Sequence, residues 1–261
     1  MSRPMEQRFT FNKVAELYDQ ARAGYPQALY DDLMELANLS AGEAVLEVGC
    51  GTGKATEEFA RRALNVIALD PGAEMIAAAR RRLAPFNGVR FVQTTFEAWP
   101  VEAGAFKLVA AAQSWHWVAL DIRFRKAFEA LAPGGALAVF GSAPEPVPQP
   151  FREALDKVYA VHAPELGGPP PEHAYLPSGP FSGDFDRSGL FGEVTHKSYP
   201  WSRSFSARSY PEYLRTVSRY QLLDEQRREG LLGAIAEAIE ANGGRFDAPV
   251  ETHLYFASRK G

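Results

Sequence analysis

The feature that most restricts the fold of this chain is Ala44-Val45-Leu46-Glu47-Val48, followed at once by Gly49-Cys50-Gly51-Thr52-Gly53 and then by Lys54 to Leu64, a stretch of helical composition. A short, nearly continuous apolar run reads as a strand buried on both faces. Glycines directly after it let the backbone turn freely and leave room for a ligand against the main chain. The helix that opens next offers N-terminal amides, which attract an anionic group. The same alternation then repeats, with Asn65 to Asp70 as strand, Ala73 to Leu83 as helix, Val89 to Gln93 and Phe106 to Ala112 as strands, Asp121 to Leu131 as helix and Gly135 to Gly141 as strand. Such units predict an α/β domain with a mostly parallel sheet covered on both faces. Leu29, Leu33, Leu36 and Ala37 recur at helical spacing and add a helix before the first strand.

Beyond Gly141 the pattern changes. Ala143 to Pro150 is proline-rich, Phe151 to Val161 has helical spacing, and Pro164 to Gly183 is dense in Pro and Gly, which reads as an irregular excursion over the surface. Phe191 to Tyr199 and Val250 to Ser258 alternate like strands, whereas Tyr210 to Tyr220 and Asp224 to Asn242 read as helices, the second ended by Gly243-Gly244. No fixed-period repeat runs through the chain, which excludes a solenoid or propeller.

Composition removes several functional classes. The chain has 261 residues and a formal charge of −4, too acidic for a surface built to neutralise a phosphate backbone. Arg80-Arg81-Arg82 reads as the exposed end of a helix. One cysteine, Cys50, permits no internal disulfide, and five histidines without ligand spacing predict no metal site. Met1 to Phe11 is polar and charged where a signal core would be apolar, and Leu108 to Leu120 falls well short of the ~20 residues that span a bilayer. The expectation is a cytoplasmic protein without membrane or nucleic-acid partners, monomeric or homodimeric.

Asp70 closes the second strand 21 residues after Gly49, where a carboxylate accepts hydrogen bonds from ribose hydroxyls. A dinucleotide fingerprint would place a third Gly or Ala where Lys54 stands, and Glu47 would repel a pyrophosphate. A ligand with a ribose and an ammonium group suits these residues better, and S-adenosylmethionine is such a ligand. A nicotinamide-dependent oxidoreductase is the rival enzyme on this ground.

With those residues in view, the sequence resembles the class I S-adenosylmethionine-dependent methyltransferases, in particular the small-molecule group similar to trans-aconitate methyltransferases. The resemblance rests on Val45 to Gly53, on Leu69-Asp70-Pro71, on Thr95-Phe96-Glu97-Ala98-Trp99-Pro100 and on Leu131-Ala132-Pro133-Gly134-Gly135-Ala136-Leu137. Phe11 to Pro26 and Ala112-Gln113-Ser114-Trp115-His116-Trp117 extend it. It implies a Rossmann-like domain over residues 1–261, with a mostly parallel seven-stranded sheet and an antiparallel edge hairpin. Residues 1–40 would form an N-terminal lid and 41–142 the cofactor-binding core. Residues 143–190 and 202–247 would be helical insertions on the substrate side.

The resemblance also implies roles. Glu47, Gly49, Gly51 and Gly53 would face the methionine part, Asp70 and Pro71 the ribose, and Thr95 and Phe96 the adenine, while Gln113 would line the methionine end through its backbone. Tyr18 and Arg22 would close over the cofactor and Tyr25 over the acceptor. Two departures are Ala23, where a proline usually follows Arg22, and Thr95, where an acid is common. His116 is the candidate base or orienting group, Trp115 and Trp117 are candidate pocket walls, and Arg203 would suit an acidic acceptor. Tyr175, Tyr210, Arg215 and Tyr220 lie in the same insertions. The implied activity is methyl transfer to a small molecule, a carboxylate among the candidates. The alternative on the same fold is an RNA or protein methyltransferase.

Overall fold

The computed structural model describes residues 10–166 and 171–261. The first nine residues of the expected lid, and residues 167–170 of the expected Pro/Gly-rich excursion, lie outside the described residues. The strands are Ala44–Val48 (β1), Asn65–Asp70 (β2), Val89–Gln93 (β3), Phe106–Ala112 (β4), Leu131–Pro144 (β5), Thr195–Ser206 (β6) and Arg245–Ser258 (β7). They form one seven-stranded mixed sheet in the order β3-β2-β1-β4-β5-β7-β6. β1 pairs in parallel with β2 and β4, β2 with β3, and β4 with β5. The helices are Ala15–Ala21 (α1), Gln27–Leu36 (α2), Lys54–Arg61 (α3), Ala73–Arg82 (α4), Leu120–Ala130 (α5), Phe151–His162 (α6), Phe181–Ser188 (α7), Ser209–Arg215 (α8), Ser218–Gln221 (α9) and Glu225–Ala241 (α10).

Contacts divide the described residues into two units. One holds residues 24–143, 171–199 and 252–261, and the other holds residues up to 23 together with 144–166 and 200–251. In the first unit the two-residue period of the strands splits the core into two faces. Leu46, Val48, Val109, Ala111, Leu137 and Val139 point to one side, where Phe124, Tyr175, Phe181 and Phe185 join them. Val45, Val66, Leu108, Ala110, Ala138 and Phe140 point to the other, where Leu29, Tyr30, Leu33 and Phe59 cover them. Burial on both faces is why β1 and β4 read as nearly continuous apolar runs. The second unit has its own core around Phe151, Leu155, Phe205, Leu214, Leu231, Ile235 and Phe246.

The bounds expected for the first four strands coincide with those observed. Later ones moved, for tertiary reasons. β5 starts at Leu131 because Leu131 pairs with Phe106 across a register irregularity, with Gly134 at φ 73. β6 runs from Thr195 through Pro200 to Ser206, and a proline is tolerated there because β6 ends the strand order. The single helix expected over Tyr210 to Tyr220 is two, α8 and α9, separated at extended Val217. Thr216 stands at that break, its hydroxyl on the Tyr213 carbonyl at 2.7 Å and receiving Arg22 Nε at 2.8 Å.

Candidate active site

The strand order reverses between β1 and β4, since the chain proceeds from β1 outward to β2 and β3 and then returns to β4 on the other side. In open sheets of this kind ligands bind outside the carboxyl ends of the strands at that switch point. Two segments meet there, the glycine turn after β1 and the loop after β4. Ser114 donates its hydroxyl to the Val48 carbonyl, and a Cβ on Gly49 would lie 2.5 Å from the Ser114 Cβ. Gly49 is therefore fixed both by its φ of 73° and by the neighbouring loop. Gly51, at φ 55°, faces open space with nothing within 4 Å of a Cβ placed there.

The turn is knit internally. Gly49 and Cys50 both donate their amides to the Leu69 carbonyl, at 2.8 and 2.9 Å, and Gly53 donates to the Cys50 carbonyl at 2.9 Å. Asp70 accepts from the Gly51 amide at 2.9 Å and from the Gly72 amide at 2.8 Å. Gly49, Cys50, Gly51 and Gly53 thus spend their amides inside the fold. Asp70 has a structural task as well as the expected ligand task, because it ties the glycine turn to the loop after β2. Burial pushes its carboxyl up from the ordinary range, opposed by those two amide bonds.

Glu47 is fully buried at the end of β1. One carboxyl oxygen, Oε2, accepts from the Thr56 hydroxyl at 2.6 Å, whereas Oε1 has no hydrogen-bond partner. The Thr52 hydroxyl is likewise buried without a partner. Burial lifts Glu47 to about 8, with the Thr56 bond opposing and Asp70 repulsion adding. At neutral pH without a nearby cation the group holds its proton, so the negative charge expected from the sequence forms only when a cation arrives. A buried carboxyl oxygen and a buried hydroxyl that lack partners can each still take a hydrogen bond.

The loop after β4 is built differently. Gln113 adopts φ 55° without being glycine. Its amide N–H donates to the Phe140 carbonyl at 2.8 Å, its Oε1 accepts from the Ser142 amide at 2.7 Å, and its Nε2 donates to the Ser142 carbonyl at 3.3 Å. Left-handed backbone at such a residue costs roughly 1–2 kcal/mol, and these bonds offset it. His116 lies with Nδ1 3.3 Å from the Tyr175 hydroxyl and its ring 4.5 Å from that of Trp117. Burial, with Arg123 repulsion, pushes His116 down to about 3. A neutral imidazole this hard to protonate suits an orienting group better than a general base.

The remaining expected site residues have protein partners of their own. Trp115 and Phe96 are inside the core, their rings 6.2 Å apart, and Phe96 stacks on Trp99. Thr95 accepts from the Ala98 amide at 3.2 Å, and the Pro71 carbonyl accepts from Gln93 Nε2 at 3.4 Å. Tyr25 packs edge-on against Phe140 at 5.0 Å. Tyr18, Arg22 and Arg203 belong to the other unit. There Arg22 lies over the rings of Tyr18 and Tyr213, and Arg203 lies over Phe205 and Tyr213 and donates to the Ala21 carbonyl. The sequence reading missed Thr52, Thr56, Ser114, Arg123 and Asp184. The two threonines sit in or beside the glycine turn and were legible as hydroxyls near Glu47. The buried Arg123–Asp184 pair had no local signal.

Comparison with known proteins agrees with this geometry. Residues 45–135 match the family model described as a methyltransferase domain. The match is confined to these residues, and what it gives for the rest of the chain is a likeness. An uncharacterised methyltransferase of Mycobacterium tuberculosis is 32% identical over 130 residues, covering 50% of this chain and 51% of the relative. A trans-aconitate 2-methyltransferase of Paracidovorax citrulli is 38% identical over 112 residues, covering 41% and 42%. The chain thus spans about half the length of the curated relatives it matches. A solved structure from Anaeromyxobacter dehalogenans, described as a type II methyltransferase, superposes with a TM-score of 0.67 at 24% identity over 91% of this chain and 97% of its own, which shows the fold. Among the described residues no group of three or more His, Cys, Asp or Glu is placed to hold a metal, and no helix is long and apolar enough to cross a membrane.

Proposed function

We propose that this chain transfers a methyl group from S-adenosylmethionine to a small-molecule acceptor that offers an oxygen lone pair, a carboxylate foremost. The observation that carries the reading is the buried Glu47 at the start of the glycine turn, whose Oε1 has no partner, together with the buried and likewise unpartnered Thr52 hydroxyl within the turn. An ammonium group supplies the donors these oxygens lack. Asp70 keeps lone pairs for ribose hydroxyls after accepting the Gly51 and Gly72 amides. The open space at Gly51 admits a ligand against the backbone. Gly49, Gly53, Pro71, Thr95, Phe96 and Gln113 frame the rest of the cofactor site.

The bound cofactor supplies a methyl group on a sulfonium, and its transfer is an in-line displacement in which positive charge disappears. The protein contributes alignment and exclusion of water. His116 orients the acceptor, with Tyr25 and Trp117 on the acceptor side. Trp115 supports that side from within the core. A carboxylate acceptor needs no base, in keeping with a His116 that stays neutral, and the name of the Paracidovorax citrulli relative supports a polycarboxylic acceptor.

Calorimetric titration with S-adenosylmethionine, S-adenosylhomocysteine and NADH tests the reading. The first two bind and NADH does not, and Asp70→Ala weakens binding at least about tenfold, or roughly 1.4 kcal/mol. Because Asp70 also holds two backbone amides, Asp70→Asn is titrated beside it and both variants are checked by thermal melting. Binding of NADH alone, or of none of the three, overturns the reading.

A further inference from the structure

The imidazole of His116 is held from two elements that the strand pattern does not connect to it. Its ring meets that of Tyr175 edge-on at 5.6 Å, with Nδ1 at 3.3 Å from the phenol oxygen. Tyr175 is fully buried, and its carbonyl accepts from the Tyr255 hydroxyl at 3.0 Å. The ring presses on β5 so closely that a Cβ on Gly141 would lie 2.7 Å from Tyr175 Cε1. On the preceding residue, Arg123 Nη1 donates to the Trp115 carbonyl at 3.1 Å, while Asp184 from α7 neutralises Arg123. The segment 171–188 thus clamps the loop after β4 in place.

We propose that Tyr175 is a positioning residue for methyl transfer, its hydroxyl donating to Nδ1 of His116 and thereby holding the ring as the Nε2–H tautomer, a hydrogen-bond donor to the acceptor oxygen. The inference rests on the methyltransferase reading above and deepens it. Three arguments set the direction of the bond. A phenol is the stronger donor of the two groups and an imidazole nitrogen the stronger acceptor. Arg123 interacts electrostatically with both Tyr175 and His116, favouring proton donation by the phenol and opposing a second proton on the imidazole. A neutral imidazole carries one proton, so occupying Nδ1 as an acceptor puts it on Nε2. The groups facing His116 are Tyr175, Trp117 and Arg123, the last paired with Asp184 and through it with Arg187. A fixed donor selects an acceptor with a free lone pair, such as a carboxylate oxygen, and disfavours a protonated amine, which would need a base.

Nitrogen-15 NMR of the full chain labelled at histidine decides this, with His116 assigned by its loss in His116→Gln. The expected spectrum with S-adenosylhomocysteine bound shows a protonated Nε2 and a bare Nδ1, unchanged from pH 8 to pH 5. Tyr175→Phe keeps the ring in the core and removes only the hydroxyl, and it shifts His116 toward a mixture of tautomers. A protonated Nδ1 in the wild type, a cationic ring at pH 6, or a Tyr175→Phe spectrum identical to wild type overturns the proposal. Should Tyr175→Phe fail to fold, the wild-type tautomer decides alone. Cofactor binding without the Nε2–H form sinks this inference only, whereas absence of cofactor binding sinks the reading beneath it as well.

Discussion

The two segments at the switch point reach the same backbone conformation by opposite means. The turn after β1 takes positive φ at Gly49, Gly51 and Gly53, residues that adopt it at little steric cost, and leaves Glu47 Oε1 and the Thr52 hydroxyl without partners. The loop after β4 takes positive φ at Gln113, a residue that resists it, and satisfies that side chain on both polar groups of Ser142. In the proposed function the first segment is the receptor for the cofactor. The second is a scaffold, closed by contacts to other elements, that holds His116 in one orientation.

The largest effect that would break this contrast lies under the scaffold. Asp184→Ala strands the buried guanidinium of Arg123, whose side chain is 6% exposed, and is expected to lower stability by about 3–5 kcal/mol in urea unfolding. The double change Arg123→Met with Asp184→Leu recovers most of that loss. If Asp184→Ala melts like wild type, the loop after β4 is not clamped through α7. Gly49→Ala comes next, at about 3 kcal/mol, because the new methyl meets Ser114 and the φ is unfavourable.

The receptor side is sharpened by pH. Glu47 is lifted in the fold from 4.5 to about 8, so its contribution favours the folded state fully below about pH 4.5 and is lost as pH rises through about 8. Glu47→Gln is expected to flatten that slope, on the order of 2 kcal/mol between pH 5 and pH 8, in melts of the cofactor-free protein. The same variant weakens S-adenosylhomocysteine roughly tenfold or more, and it abolishes the proton release that wild type shows at pH 7 when titrated in buffers of different ionisation enthalpy. An unchanged slope and no proton release would show that Glu47 is already ionised.

Smaller effects separate the segments further. Gln113→Ala keeps the strained φ and loses two bonds to Ser142, for about 1–2 kcal/mol of stability. Gly51→Ala costs only about 1 kcal/mol, since its methyl meets nothing in the protein, yet it weakens the cofactor more than Gln113→Ala does. Equal affinities in these two variants would erase the distinction between receptor and scaffold.

Sequence alone determined the inner architecture and the glycine turn. β1 and β4 were legible because burial on both faces favours nearly continuous apolar runs, and the glycine turn was legible because its backbone demand falls within one short span. Only the tertiary structure decided the rest. Trp115 and Phe96 went to the core, the helix expected over Tyr210 to Tyr220 broke where Arg22 reaches Thr216, and His116 found Tyr175 59 residues away. Each outcome depends on a partner distant in sequence. A side chain's hydrogen bonds and burial are set by what packs against it, which no local periodicity records.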